Sequence, residues 1–445
     1  MKKTGLILIT LMMVSVLALA GCSGGNGNNS SAGKNNTAGS TNTDAGTNAP
    51  TEETKSEEPV TVTLAGWGSS PEEQELLNQT LAEFSKKYPN IKVNYEVIAD
   101  QYMDVIKTRL IGGEAPDVFY LDAFEAPALI AKDVIEPLDG YVTPEFDVND
   151  FEQPLLDAFK VDGKTYGFPK DFSTLAMFYN KKDFADAGIA NPPATWEELQ
   201  EAAKKLTKRE GGKLVRAGFG VAPELPRQMF MAKAFEGLIT DQEGKASFAS
   251  EQALKGLQLV VDMHNVDKSS AEPKEVGAGW GGEMFGQGKA SIVFEGNWAI
   301  PYLQNNFKTL DYGTAELPTV NGKKGTMAFT VAYVMNKASK QKEAAWTLLS
   351  YLTGKEGMKT WTSKGFALPT RKSVAAELGF DKDPVRSALV TGGSYATPWQ
   401  DGVNLPIINT NFNNQFLDAF LGKTPLKDAM EKAQKTANNE IAAAQ

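Results

Sequence analysis

An α/β fold in two lobes is predicted for this chain on three observations. Its body opens with a strand–helix–strand–helix–strand run joined by short connections. Strand and helix patterns then continue almost to the last residue. From Pro59 to Gln445 the chain is long enough for two lobes of ordinary size. Residues 60–65 read as a buried strand ending at Gly66-Trp67-Gly68. Ser70 then offers an N-cap and Pro71 a first helical residue, with Glu72 and Glu73 in the turn where the helix dipole favours acids. Leu77, Leu81, Phe84 and Tyr88 form an apolar stripe at helical spacing until Pro89 stops it. Ile91, Val93, Tyr95 and Val97 alternate as a second strand. Residues 102–111 read as a second helix, turned by Gly112-Gly113, and residues 117–121 as a third strand. Such a run predicts a largely parallel sheet, whose ligands sit at the carboxyl ends of strands, and Trp67 and Asp122 fall there.

Further elements follow the same alternation. Residues 196–209 read as a helix entered through Thr195, with Glu198 completing a capping box. Residues 254–264 and 342–352 read as helices, 290–295 and 327–336 as strands, and 412–421 and 425–444 as two closing helices. No fixed-period repeat is present, which argues against a solenoid.

The N-terminus predicts an address. Lys2 and Lys3 precede an apolar run over residues 6–19 and then Leu19-Ala20-Gly21-Cys22. A basic start, a short apolar segment and small residues describe a secretory leader over residues 1–21, too short for a spanning helix. Small residues directly before the chain's single cysteine form a lipobox, whose thiol takes a lipid and becomes the first residue after cleavage. Residues 23–58 carry no aromatic and no aliphatic side chain larger than alanine, so they are expected to be a disordered tether spanning about 30–35 Å. Together these features predict a lipoprotein on the outer face of a bacterial membrane.

Composition excludes several functions. The formal net charge is −10, and losing Lys2 and Lys3 makes it more negative, which argues against nucleic acid or an anionic membrane surface as partner. One histidine and one cysteine leave no multi-ligand zinc site and no cysteine nucleophile, and no cofactor is expected. His264 reads as a helix-end residue rather than a catalytic base.

Five stretches carry a resemblance. They are Pro116-Asp117-Val118-Phe119-Tyr120-Leu121-Asp122; Tyr166-Gly167-Phe168-Pro169 followed by Met177-Phe178-Tyr179-Asn180-Lys181; Phe285-Gly286-Gln287-Gly288-Lys289-Ala290-Ser291-Ile292 leading to Glu295-Gly296-Asn297-Trp298; Leu317-Pro318 with Lys323-Lys324 and Ala332-Tyr333-Val334-Met335-Asn336; and Gly365-Phe366-Ala367-Leu368-Pro369-Thr370-Arg371. In this order they resemble the maltose-type (family 1) extracellular solute-binding proteins of ABC importers. The resemblance implies a two-lobe periplasmic-binding-protein-like fold with strands crossing between the lobes and a ligand cleft between them. Residues 59–170 with 332–354 would form the first lobe, and 171–331 with 355–445 the second. It also implies a monomer that closes on its ligand, is recognised by the importer's membrane permease subunits, and catalyses nothing. One departure stands out: Pro169-Lys170-Asp171 puts a lysine where the family has an apolar residue, so Lys170 or Asp171 is expected to face the cleft and tune the ligand class.

A sugar suits these residue types. Its C–H face stacks on a flat aromatic, and its hydroxyls bond carboxylates and amides. Of seven tryptophans, Trp67, Trp280, Trp298, Trp361 and Trp399 stand at predicted loop or strand ends, whereas Trp196 and Trp346 lie on amphipathic helices as packing residues. The ligand-binding candidates are Trp67, Asp122, Asp171, Glu224, Trp280, Glu295, Trp298, Arg371 and Trp399. A different small solute, such as a glycerophosphate or a polyamine, remains open. So does a surface glycoside hydrolase, since acids and aromatics in a cleft also describe that chemistry.

Overall fold

The computed structural model describes residues 59–68 and 71–444; the leader, Cys22, the linker and the Ser70 cap lie outside the described residues. Its strands are β1 (Val60–Trp67), β2 (Ile91–Ile98), β3 (Val118–Asp122), β4 (Lys160–Val161), β5 (Lys164–Thr165), β6 (Gly167–Thr174), β7 (Ala176–Asn180), β8 (Lys208–Glu210), β9 (Lys213–Gly220), β10 (Ser270–Ala271), β11 (Ala290–Glu295), β12 (Tyr312–Ala315), β13 (Met327–Met335) and β14 (Thr397–Pro398). They form two main sheets. The first runs β2-β1-β3-β13-β14, with β6 also on β13; the second runs β10-β9-β11-β7-β12, with β8 on β9. β1 is parallel to β2 and β3, as the opening pattern predicts. β13 is antiparallel to both β3 and β6.

Two stretches carry the chain between the sheets. β6 belongs to the first and β7 to the second, with Leu175 alone between them. The return runs from β12 in the second sheet to β13 in the first. Because β6 and β13 are hydrogen-bonded neighbours, the crossings lie side by side. Their pairing is irregular at one point. Val331 faces Asp171 but Ala332 faces Pro169, so Lys170 is the extra residue of a β-bulge.

Each sheet has its own core. Val62, Leu64, Phe84, Ile106, Phe119 and Leu349 pack around the first. Met358, Trp361 and Val374 join that core, so the stretch just after residue 354 does not part company with the first lobe as expected. Helices Leu225–Ala234, Glu251–Asn265, Leu405–Phe420 and Leu426–Ala444 contribute to one core of the second sheet. Helices Gly281–Gly286, Ala299–Asn306 and Ser387–Gly392 contribute to another.

Local signals explain most boundaries. The Thr195 hydroxyl accepts the Glu198 N–H at 3.2 Å, as the capping pattern predicts. That helix ends at Leu206 rather than 209, because Lys208–Glu210 pairs with β9 instead. The penultimate helix starts earlier than expected, at Leu405, where Pro406 suits a first turn. His264 lies in the last turn of its helix, and Nδ1 donates to the Ser270 carbonyl at 3.0 Å.

Candidate functional site

A bulge leaves one residue out of the strand ladder and re-aims the side chains around it. Here both Lys170 and Asp171 line a cavity of about 280 Å³ together with Trp67, Tyr120, Trp298 and Trp361. These residues come from the first core, the crossing strands and the loop after β11, so the cavity lies where the two lobes meet. Its size is close to the lower end of the roughly 300–1,000 Å³ common for small-molecule sites.

On the first lobe's side, Lys170 is only 4% exposed. Its ammonium lies 4.7 Å from the Tyr120 ring centroid and 4.1 Å from that of Trp361, and it pairs with the Asp171 carboxylate. The same Asp171 oxygen, Oδ2, accepts the Trp361 indole N–H at 2.8 Å. Two aromatic faces and a carboxylate therefore offset the cost of burying the ammonium. Trp67 stands nearby with Tyr102 and Tyr120 edge-on to it, at 5.3 and 5.2 Å between centroids.

Across the cavity, Trp298 sits at the entry to helix Ala299–Asn306 and is partly exposed. Its indole N–H donates to Glu295 Oε2 at 3.0 Å, and Arg227 Nη2 reaches the same oxygen at 3.0 Å. Gly296 permits the fold-back: a Cβ there would come within 2.3 Å of the Trp298 ring and 2.6 Å of Ser173 Oγ. The Asn297 N–H donates to Ser173 Oγ at 3.0 Å, and its side chain donates to the Phe366 carbonyl, tying this wall to the crossing strand. Burial pushes the Glu295 carboxyl above its usual range, against the opposing pull of Arg227 and the Trp298 N–H.

The other candidates are placed differently. Asp122 ends β3, where its Oδ1 accepts the Phe124 N–H at 2.8 Å, and it does not line the cavity. Burial pushes its carboxyl up to about 6; the Phe124 N–H opposes that shift, and the charges of Glu125 and Asp171 add to it. Glu224 precedes helix Leu225–Ala234 and pairs with Arg227 Nε at 2.9 Å, so it braces the arginine that holds Glu295. Trp280 packs edge-on against Tyr302, 4.8 Å away, beside the second sheet's core. Trp399 is 7% exposed and stacks on Phe124 at 5.3 Å with a 7° tilt, so another ring already covers its face. Arg371, expected to reach the cleft, is a buried structural tie. It donates to the carbonyls of Thr353, Asp147 and Phe146 at 2.6, 2.9 and 2.8 Å, with the Phe151 ring centroid 4.1 Å away. Sequence reasoning left out Tyr120, Ser173, Asn297 and Phe329, which also line the cavity. The lysine in an apolar slot was the one local signal pointing toward them.

A family model for bacterial extracellular solute-binding proteins matches residues 67–359. A Brucella abortus (strain 2308) protein named as a binding protein is 31% identical over 304 residues, 66% of this chain and 72% of that one. The chain belongs to the bacterial extracellular solute-binding protein family. The galactooligosaccharide-binding protein of Bacillus subtilis (strain 168) is 24% identical to this solute-binding protein over 387 residues, 82% of this chain and 87% of its own. Among solved structures, an ABC substrate-binding protein of Listeria monocytogenes in complex with cycloalternan aligns with a TM-score of 0.75 and 23% identity. That alignment covers 86% of this chain and 100% of that one. The solute-binding protein thus has the two-lobed, cleft-bearing fold of its neighbours.

Proposed function

We propose that this solute-binding protein captures a sugar or short oligosaccharide between its lobes and delivers it unchanged to the permease subunits of an ABC importer. One observation carries the reading: the cavity holds an indole on each wall, Trp361 and Trp298, and each is fixed by a carboxylate–cation pair. The partly exposed Trp298 ring suits the C–H face of a pyranose, and the carboxylate of Asp171, backed by the buried Trp361, suits its hydroxyls. The oligosaccharide named for the Bacillus relative and the cycloalternan named for the Listeria structure agree with it. A phosphate ligand is less suited, because Lys170 already pairs with Asp171, and Arg227 with Glu224 and Glu295. Acid–base work on a glycosidic bond is also less suited, since Asp171 and Glu295 each hold a cation and an indole N–H.

The test is a thermal-shift screen against mono- and oligosaccharides, with glycerophosphate and polyamines as controls. A ligand at about 100 times its Kd stabilises the folded state by about 2.7 kcal/mol, so a true ligand raises Tm clearly. The sugar should be recovered chemically intact after incubation. Steady release of reducing ends, or a shift with the controls alone, overturns the proposal. The address is part of the same reading: Cys22 would carry the lipid that holds the body at the cell surface. Replacing it by serine should move the protein from the membrane fraction to the medium or periplasm, and retention of Cys22→Ser in the membrane sinks the anchor.

A further inference from the structure

We infer that the outer face of the first lobe carries a second carbohydrate site, built for a neutral glycan and independent of the cleft. A cavity of about 430 Å³ opens there, and none of its lining residues lines the cleft cavity. Its aromatic lining is Tyr88, Phe146, Trp346 and Tyr351. Tyr88 follows helix Pro71–Lys87, Phe146 closes a short turn, and Trp346 and Tyr351 share helix Lys342–Leu352. Tyr88, Phe146 and Trp346 are each partly exposed, and the Arg371 guanidinium lies over the Phe146 ring, 4.8 Å from its centroid, so Tyr88 and Trp346 carry the open aromatic surface.

Their packing makes the site rigid. Trp346 meets the Phe146 ring at 5.3 Å and the Phe168 ring at 5.9 Å. Tyr88 lies 6.3 Å from Tyr351, edge-on. Arg371, which has no role in the cleft, finds one here: its donation to the Phe146 carbonyl at 2.8 Å fixes the turn that presents this ring. A platform held in place loses little side-chain entropy when a sugar lands on it.

The charges select against an anion. Lys87 pairs with Glu356 at 2.5 Å, and Lys355 lies 3.5 Å from Asp147. The Arg371 guanidinium bonds backbone carbonyls and faces Asp150 at 3.5 Å. Each cation of the lining is therefore already matched, which leaves aromatic faces bordered by hydrogen-bonding groups. That combination suits stacking and hydroxyl contacts, the chemistry of an uncharged pyranose. All of the lining belongs to one lobe and its attached helices, so occupancy does not require the lobes to close.

Protein labelled with 5-fluorotryptophan tests this, since each of the seven tryptophans gives its own fluorine resonance and Trp346→Phe assigns one of them. Maltotriose, cellotriose, xylotriose and mannotriose would be titrated to roughly 50 mM, above the Kd on the order of 10 mM that two stacked rings support. The Trp346 resonance should shift saturably with at least one sugar, and should still do so in a Trp298→Ala background. Tyr88→Ala, which removes a ring without touching Trp346, should weaken that shift about five-fold or more while the circular dichroism spectrum is retained. A Trp346 resonance unmoved by all four sugars overturns the inference, whatever the cleft resonances do. So does a Trp346 shift that disappears with Trp298→Ala, since it would then only report closure. Movement of Trp346 with no response at Trp298 leaves this site standing and sinks the cleft reading instead.

Discussion

The two walls of the cleft use the same three parts and exchange their roles. On the first lobe's side Asp171 accepts the Trp361 indole N–H and pairs with Lys170; on the second lobe's side Glu295 accepts the Trp298 indole N–H and pairs with Arg227. In both, the cation also lies over the ring it helps to fix, at 4.1 Å for Lys170 on Trp361 and 5.9 Å for Arg227 on Trp298. What differs is which part meets the cavity. The Asp171 side chain is 13% exposed and that of Glu295 is 1% exposed. Trp361 is buried, whereas Trp298 is partly open. One wall therefore presents a carboxylate backed by an indole, and the other an indole backed by a carboxylate. Residue type does not decide whether a group binds or braces. Exposure does.

The comparison breaks most readily at Glu295. Its removal leaves Arg227 with the half-exposed Glu224 and the Phe294 carbonyl, and frees the Trp298 ring. Losing one partner of a buried ion pair costs about 3–5 kcal/mol. Glu295→Ala should lose stability on that scale in urea denaturation, and Glu295→Gln, which keeps an acceptor for the indole, should lose less. If Glu295→Ala unfolds within 1 kcal/mol of the parent, on the low side of what a buried pair predicts, Glu295 does not brace this wall.

Smaller effects separate stacking from hydrogen bonding. Trp298→Ala removes an exposed face, so it should weaken sugar binding about ten-fold or more with modest loss of stability, as read by calorimetry. Asp171→Asn keeps shape and an indole acceptor but loses the charge that strengthens hydroxyl contacts. It should weaken binding by about 1 kcal/mol, and it should also lower Tm, because the buried Lys170 loses its counter-charge. Should Asp171→Asn lower stability and leave affinity untouched, the two carboxylates are both braces and the exchange of roles is wrong.

Much of this was legible in the sequence, and the gaps have a physical cause. The opening strands and helices were readable because periodicity and capping are local, as at Thr195 and Glu198. Trp298 was readable because it follows β11 within a few residues. Trp361 was noticed only as one of five tryptophans at predicted loop or strand ends and was not among the ligand-binding candidates, because its partner Asp171 is remote in sequence and meets it only through the bulge in β6. Arg371 and Trp399 were misleading for the same reason. The carbonyls that hold Arg371 come from turns far back in the chain, and the ring that covers Trp399 comes from the loop after β3. Sequence shows which residues suit a sugar. It does not show which of them another side chain has already occupied.

Asp122, which ends β3 outside the cavity lining, sharpens the comparison, because no cation pairs with it among the described residues. Its carboxyl is pushed from an ordinary 3.8 up to about 6, chiefly by burial. The folded protein therefore holds this proton more tightly than the unfolded chain does. The stabilisation it brings is complete below about pH 4, falls as pH rises through about 6, and is absent above that. Full conversion of such a shift at about 1.4 kcal/mol per unit overstates the effect for a partly exposed group, so about 1 kcal/mol is expected. Asp122→Asn is neutral throughout and still offers an acceptor to the Phe124 N–H. It should match the parent near pH 4 and exceed it by about 1 kcal/mol at pH 7, so its stability profile should be flatter across that interval. Asp171 and Glu295 have cations and Asp122 has none. If the two profiles run parallel from pH 4 to 7, the missing cation makes no difference, and pairing is not what sets these three acids apart.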